Sequence, residues 1–146
     1  MSEINFSVRG SPVAQGSVRA YVRGGRAIVV AKGHGALADW RHDISAGART
    51  AMADLPSFSG AVVVHANFAY TRPPSHFRSD GVKIKAGAPR YPRLDIDKTA
   101  RALLDALTGV AIDDDSQVVE LMVNKVWDDF ERGWQGVRVR VREIES

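Results

Sequence analysis

Two groups of aspartates bracket one short segment and are the residues most able to do chemistry. Asp95 and Asp97 stand two positions apart, and a second acidic run, Asp113 to Asp115, follows a helix-forming stretch. In an extended segment, residues i and i+2 project to the same side, so the first two carboxylates can converge on one point. Crowded carboxylates repel one another unless protons or a cation neutralise them. The spacing therefore predicts a metal-binding site.

The donor atoms indicate which metal such a site would hold. Oxygen ligands with no histidine or cysteine nearby favour Mg²⁺, or Mn²⁺, over zinc. We expect Asp115 to fold back toward Asp95 and Asp97 through a strand–helix–turn unit. With one ion or two, the site could activate water and stabilise charge on a phosphodiester. The alternative for Asp97 is a helix cap, which would leave Asp95 and the second acidic run unexplained.

Arg101 is a cation on the following helical stretch that could assist these carboxylates. It lies one helical turn beyond Asp97, on nearly the same face, and could hold a scissile phosphate or stabilise the transition state. The alternative is an ion pair with Asp97 or Asp105, each four residues away. The sequence leaves both readings open.

Charge is distributed unevenly along the chain. The whole protein carries +3, but the segment from Arg93 to Glu120 has seven acidic residues against three cations and so carries −4. The remainder of the chain is therefore +7. An acidic focus inside a basic chain is expected of a metal-dependent enzyme that acts on a polyanion such as nucleic acid.

A loop rich in proline, glycine and cations precedes the first aspartates. Residues Thr71–Pro92 can hardly form regular structure, and a loop of about twenty residues in a compact domain is usually functional or disordered. Its cations lie beside Phe77 and Tyr91, which suits an arm that closes on a nucleic-acid backbone; a solvated linker is the alternative. The cations that we expect to contact DNA are Arg72, Arg78, Lys83 and Lys85 in this loop, and Arg19 in a predicted hairpin around Gly24-Gly25.

Composition and periodicity predict one compact mixed α/β domain over residues 1–146. Its 146 residues are 45% hydrophobic and contain no cysteine, which excludes disulfides and thiolate chemistry. No apolar run is long enough to span a bilayer and the N-terminus lacks a signal-peptide core, so we expect a cytoplasmic protein without a membrane partner. Alternating or β-branched runs and a helical repeat predict individual strands and helices in this domain. The clearest are the strands Ala61–Tyr70, Val118–Trp127 and Trp134–Val141 and the helix Ala36–Met52.

The acidic segment resembles the signature of the RusA-type Holliday junction resolvases, which are crossover junction endodeoxyribonucleases. The resemblance extends to the RPPSHFRSDG loop and to the N-terminal SPVAQGSVR turn, so it covers most of the chain. The matching strings are Asp95-Ile-Asp-Lys, then Arg101-Ala-Leu-Leu-Asp-Ala-Leu-Thr-Gly-Val-Ala, then Asp114-Asp115-Ser-Gln-Val.

The resemblance implies roles for individual residues. Asp95, Asp97 and Asp115 match the family's metal-binding catalytic aspartates. Arg101 stands where the family usually has a catalytic lysine, and Lys98 replaces the common asparagine; both could contact DNA. The change from lysine to arginine keeps the charge but not the proton-donating range, so phosphate stabilisation is the expected role of Arg101.

The resemblance also implies a fold, an activity and an assembly. The expected fold is a compact mixed α/β domain with a mixed sheet flanked by two main helices. We expect a Mg²⁺-dependent enzyme, encoded by a phage or prophage, that resolves four-way DNA junctions by paired symmetric nicks in recombination and repair. A symmetric homodimer would present two identical sites to equivalent strands. Two alternatives stay open. One is a less selective nuclease acting on flaps or forks, and the other is an inactive DNA-binding dimer in which Lys98 and Arg101 abolish metal binding.

Overall fold

A four-stranded mixed sheet with two helices packed on one face forms the body of this computed structural model. The structure describes residues 2–15, 18–23, 25–31 and 34–144, with the backbone alone described at 18–23, 26–31 and 34. In chain order the elements are β1 (Glu3–Arg9), β2 (Val18–Arg23), β3 (Arg26–Ala31), α1 (His34–Met52), β4 (Val62–Tyr70), α2 (Ile96–Leu107), β5 (Val118–Trp127) and β6 (Gly136–Glu143). Three single-turn 3₁₀ helices lie at Pro74–His76, Asp115–Gln117 and Asp128–Phe130.

The order of the strands across the main sheet is β1, β6, β4, β5. β6 pairs antiparallel with both β1 and β4, whereas β4 and β5 are parallel. A parallel pair needs a long crossover connection. Here that connection contains the Thr71–Pro92 loop, α2 and both groups of aspartates. The topology therefore places the candidate chemistry in the crossover between two neighbouring strands.

The core lies between one face of the sheet and the two helices. Alternate residues of β1 and β6 point inward because side chains alternate across a strand, and they meet Ile44 of α1 and Leu103 of α2 in one hydrophobic cluster. Among the described residues Phe68 of β4 is the largest fully buried side chain, and Trp40 of α1 is only 3% exposed. This arrangement confirms the predicted mixed sheet and the two main helices, and it adds that both helices cover the same face.

Gly136 is required by the pairing of β1 with β6. Its φ of +151° is a conformation that L side chains rarely adopt, and a Cβ built there would lie 2.0 Å from the carbonyl oxygen of Val8. Only glycine lets these two backbones approach, which is a recognised use of glycine within strands.

The predicted hairpin is confirmed at the level of the backbone, because β2 and β3 form a separate antiparallel pair. The side chain of Arg19, in β2, lies outside the described part of the structure. Among the described helices, none combines the length and the apolar character needed to cross a membrane.

Candidate metal and DNA site

Asp95 is the residue at which α2 begins. It occupies the N-cap position, yet its side chain makes no capping hydrogen bond. Instead its backbone carbonyl accepts hydrogen bonds from Thr99, at 3.0 Å from the amide and 2.8 Å from the hydroxyl. The carboxylate is 63% exposed and therefore remains available for a ligand. The helix-cap alternative for Asp97 is wrong, because Asp97 lies inside the first helical turn.

Both carboxylates of this pair lie at the positive end of a helix. The N-terminus of α2 favours negative charge through its free amide groups and its dipole. Lys98 Nζ lies 3.4 Å from Asp95 Oδ2, so one ammonium group already neutralises part of this charge. The Asp97 carboxylate has no hydrogen-bond or ion-pair partner among the described residues. Asp95 and Asp97 are thus two exposed acceptors, one of them paired with a lysine.

Arg101 is exposed on the outer face of α2. Neither of the ion pairs that the sequence allowed, with Asp97 or with Asp105, forms within the described residues. Asp105 instead accepts a hydrogen bond from Gln15 Nε2. The guanidinium group therefore faces solvent and is free to meet an anionic ligand.

The three exposed aspartates of the second acidic run differ in their contacts. Asp114 caps the 3₁₀ helix Asp115–Gln117 by accepting from the Ser116 amide at 2.9 Å, and the Ser116 contacts hold the pKa of Asp114 below its usual value. Gln117 Oε1 completes the capping box by accepting from the Asp114 amide at 2.8 Å. Asp113 accepts a hydrogen bond of 2.5 Å from the Ser57 hydroxyl. Asp115 is exposed and has no side-chain partner among the described residues.

The structure does not bring Asp115 to Asp95 and Asp97 within one chain. The 12 residues of α2 separate the two groups, and at 1.5 Å per residue they span about 18 Å. Throughout the described ranges, no three acidic, histidine or cysteine side chains lie close enough together to hold one metal ion. The expectation that the strand–helix–turn unit folds back is therefore wrong for a single subunit. α2 leads away from Asp95 and Asp97, and β5 begins only three residues after Asp115, so the connection does not carry Asp115 back to them.

The donor chemistry of each group still fits a hard cation. Carboxylate oxygens are the ligands that Mg²⁺ and Mn²⁺ prefer, and Asp95 and Asp97 stand two positions apart, at the N-cap and in the first turn of α2. These two residues could hold a metal together, whereas Asp115 offers a third carboxylate at a separate place in the same subunit.

Lys125 of β5 holds the backbone segment that immediately precedes α2. Its ammonium group donates to the carbonyl oxygens of Pro92 at 2.6 Å and Leu94 at 2.5 Å, and it lies 5.6 Å from the centre of the Tyr91 ring. Leu94 directly precedes Asp95. The position of the first aspartate therefore depends on a lysine near the far end of β5. Sequence reasoning missed Lys125, because a single lysine in a strand carries no local sign of its partner.

Arg72 anchors the Thr71–Pro92 loop instead of extending from it. The residue is only 7% exposed. Its guanidinium group binds both carboxylate oxygens of Asp129 at 2.8 and 3.1 Å, donates to Pro89 O at 2.8 Å and lies 4.9 Å from the Trp127 ring centre. The predicted DNA contact is thus not available in this conformation, because its hydrogen-bond donors are already used inside the protein.

The remaining predicted cations of the loop are exposed. Arg78, Lys83 and Lys85 lie on a stretch that returns on itself through a bridge between Phe77 and Ile84. Asp80 accepts from the amide of Lys83 at 2.9 Å, which closes the turn. The loop is therefore irregular, as predicted, but it is held by specific contacts and it presents three cations to solvent.

Another open region lies away from the aspartates. A cavity of about 470 Å³ on the sheet face opposite the helices is lined by residues that include Asn67 and Arg138. There His65 bridges two strands, at 3.0 Å from Arg140 and 3.2 Å from Glu120. His65 is therefore held by side chains of both neighbouring strands.

The comparisons with known proteins agree with the acidic signature. A search of the curated proteins found no significant match. A family model described as Endodeoxyribonuclease RusA matches residues 9–142 of the 146, nearly the whole chain. That span includes both groups of aspartates, Arg101, the cationic loop and the hairpin. The chain belongs to the RusA endodeoxyribonuclease family.

Proposed function

We propose that this protein is a Mg²⁺-dependent endonuclease that resolves Holliday junctions by paired symmetric nicks, as a homodimer, in the cytoplasm of a bacterial host. The observation that carries the proposal is the state of Asp95 and Asp97. Both carboxylates are exposed at a helix N-terminus, and neither caps the helix. Exposed carboxylates that make no capping hydrogen bond, in a chain of this family, are suited to binding a metal.

The aspartates and Arg101 would have different roles in cleavage. Asp95 and Asp97 would hold Mg²⁺, or Mn²⁺, and Asp115 would be a third ligand where the homodimer brings it to them. When bound, the ion supplies a lowered pKa for its water and charge neutralisation at the phosphodiester. Arg101 is exposed on the same helix as the first two aspartates and would hold the scissile phosphate, because a guanidinium group binds phosphate oxygens in pairs. Arg101 would therefore act through its positive charge and not as an acid.

Contacts outside the site would bind the DNA backbone. Lys83, Lys85 and Arg78 are exposed on one loop, and cations on a loop neutralise phosphates whatever the base sequence. Lys98 is half-buried and partly engaged with Asp95, so it would contact DNA only after that ion pair opens. Recognition by backbone contacts suits a substrate defined by its branched shape.

The test is cleavage of a synthetic four-way junction beside duplex, flap and fork DNA, with and without Mg²⁺. We expect paired symmetric nicks in the junction that require the metal. Cutting of flaps and forks at equal rates would favour the less selective nuclease. Tight junction binding without any cleavage would favour the inactive DNA-binding dimer.

Substitutions separate catalysis from folding in the same assay. Asp→Asn at Asp95, Asp97 or Asp115 keeps the shape but removes the charge that holds a hard cation. Cleavage should fall at least about 100-fold, because the loss of a mere second-shell partner already costs about 10–100-fold. Junction binding should persist, because the change removes negative charge facing phosphates. Asp113→Asn is the control, since the Ser57 hydroxyl can donate equally to the amide oxygen. Full activity of Asp97→Asn would contradict the metal site.

A further inference from the structure

Two aromatic side chains are exposed among the residues whose side chains the structure describes. Tyr91 is 58% exposed and Phe130 is 103% exposed. A single exposed hydrophobic side chain is ordinary and needs no explanation. An aromatic ring, however, is also a platform on which a base of a nucleic acid can stack when cations stand beside it. The charges around each ring therefore decide whether it could receive a base.

The two exposed rings have opposite electrostatic surroundings. Both neighbours of Phe130 in the chain are acidic, and every base brings a negatively charged phosphate with it, so negative charge beside a ring opposes nucleic acid. The Tyr91 ring has two cations beside it. The guanidinium carbon of Arg93 lies 5.9 Å from the ring centre, and Lys125 Nζ lies 5.6 Å from it. Of these two rings, Tyr91 has the surroundings that suit a nucleotide.

The backbone that carries Tyr91 is held on both sides of the residue. Before it, the carbonyl oxygen of Pro89 accepts two hydrogen bonds, one of them from Trp127 Nε1 at 3.0 Å. After it, Pro92 is fully buried, and its carbonyl oxygen accepts from Lys125 at 2.6 Å. A ring on a backbone that is already fixed loses little further freedom when a ligand binds. Tyr91 is therefore a preorganised surface, although it belongs to an irregular loop.

Tyr91 also lies close to the candidate metal ligands. It stands four positions before Asp95, so the Cα atoms of the two residues are at most about 14 Å apart. Consecutive bases of one strand in duplex DNA are about 3.4 Å apart along the helix axis. The ring can therefore reach a base within about four steps of a phosphate that is bound at Asp95.

We propose that Tyr91 stacks on an unstacked base at the branch point of the DNA and so helps to select branched DNA over plain duplex. The inference rests on the proposed endonuclease function and names a residue that recognises its substrate. Inside a duplex each base is stacked on both faces, whereas a base pair at the centre of an opened junction has lost one neighbour. The ring therefore gains a stacking contact only where the duplex is interrupted.

The cations beside the ring complete the contact with the nucleotide. Arg93 is exposed and would bind the phosphate of the stacked nucleotide, whereas the Lys125 ammonium group is already occupied by two backbone carbonyls. Stacking on an aromatic ring tolerates any sequence, because every base has a π-face. Tyr91 would thus select the shape of the DNA and not its sequence.

Binding measured without metal tests the selection apart from cleavage. Tyr91→Ala should weaken binding to a four-way junction by about 5- to 150-fold, the equivalent of about 1–3 kcal/mol for one stacked base. Its binding to a duplex of the same sequence should stay at the wild-type value. Tyr91→Phe keeps the ring and should bind the junction like the wild type. The matched control is Phe130→Ala, which removes an exposed ring that has acidic neighbours and should change neither affinity.

A photo-cross-link tests the stacking contact on the unaltered chain. A junction with 5-iodouracil at the branch point is bound to the protein without metal and irradiated with long-wavelength ultraviolet light, which joins the base to an aromatic side chain in contact with it. Mass spectrometry should find the adduct on Tyr91. The same base inside a duplex should give no adduct at this residue. Because this experiment needs no substitution, it decides the question even if Tyr91→Ala lowers the stability of the fold.

The outcomes separate this inference from the proposed function. If the wild type cuts junctions but Tyr91→Ala binds them as tightly and Tyr91 gives no adduct, the stacking contact is wrong and the endonuclease stands. If Tyr91→Ala weakens junction and duplex binding equally, the selection of branched DNA by Tyr91 is wrong. If the wild type leaves every DNA uncut while Tyr91 forms the adduct at the branch point, the proposed function fails and the stacking contact stands.

Discussion

Replacing Lys125 with methionine should loosen the entry to α2 and lower both stability and cleavage. Methionine keeps the aliphatic length that packs against the sheet but removes the ammonium group. Two charge-assisted hydrogen bonds, to Pro92 O and Leu94 O, are lost with it. Such bonds contribute about 1.5–3 kcal/mol each. Because one group makes both and water can reach the carbonyls, we expect a total loss of about 2–4 kcal/mol.

The loss should appear in two measurements. A loss of that size lowers the melting temperature of a chain of this length by about 4–16 °C, which differential scanning fluorimetry detects readily. Cleavage should fall further than the unfolded fraction explains, because Leu94 no longer fixes Asp95. Lys83→Met, in an exposed loop, is the matched control and should leave the melting temperature unchanged. A Lys125→Met protein with wild-type melting and wild-type Mg²⁺ dependence would refute the role given to Lys125.

Three further outcomes follow from named contacts. Lys98→Asn removes the ammonium group that competes with a metal ion for the Asp95 carboxylate. The Mg²⁺ affinity measured by calorimetry should therefore rise about fivefold, the equivalent of about 1 kcal/mol for an exposed ion pair. An unchanged affinity would show that Lys98 does not compete with the metal. Alanine at both Lys83 and Lys85 should reduce the slope of log K against log [salt] for junction binding by about 1.8, if each lysine contacts a phosphate. A slope equal to that of the wild type would show that the Thr71–Pro92 loop is a linker that does not contact DNA. Gly136→Ala should cost about 2–4 kcal/mol in chemical denaturation, because its Cβ meets the Val8 carbonyl oxygen, whereas Gly35→Ala, which meets no atom within 4 Å, should not destabilise.

The sequence by itself determined the elements and the identity of the candidate ligands. Val118–Trp127 was predicted as a strand and is β5 with the same bounds, because a β-branched run bounded by acidic turn residues leaves little choice locally. The helical repeat from Ala36 to Met52 became α1 and buried Trp40 as expected. Asp95 and Asp97 could be identified as candidate metal ligands from their spacing alone, because carboxylates so close in sequence repel each other in any fold unless something neutralises them.

Only the tertiary structure decided how far apart the chemistry lies. Local periodicity does not say which strand is at an edge, which way a helix runs relative to the next strand or which cation is captured by a distant carboxylate. Arg72 looked like a loop cation and is buried because Asp129, 57 residues away, supplies its partner. Asp115 looked like a third ligand of one cluster and lies beyond the far end of α2, because β5 returns antiparallel to the helix from that point. Long-range pairing sets these distances, and a one-dimensional pattern carries little information about it.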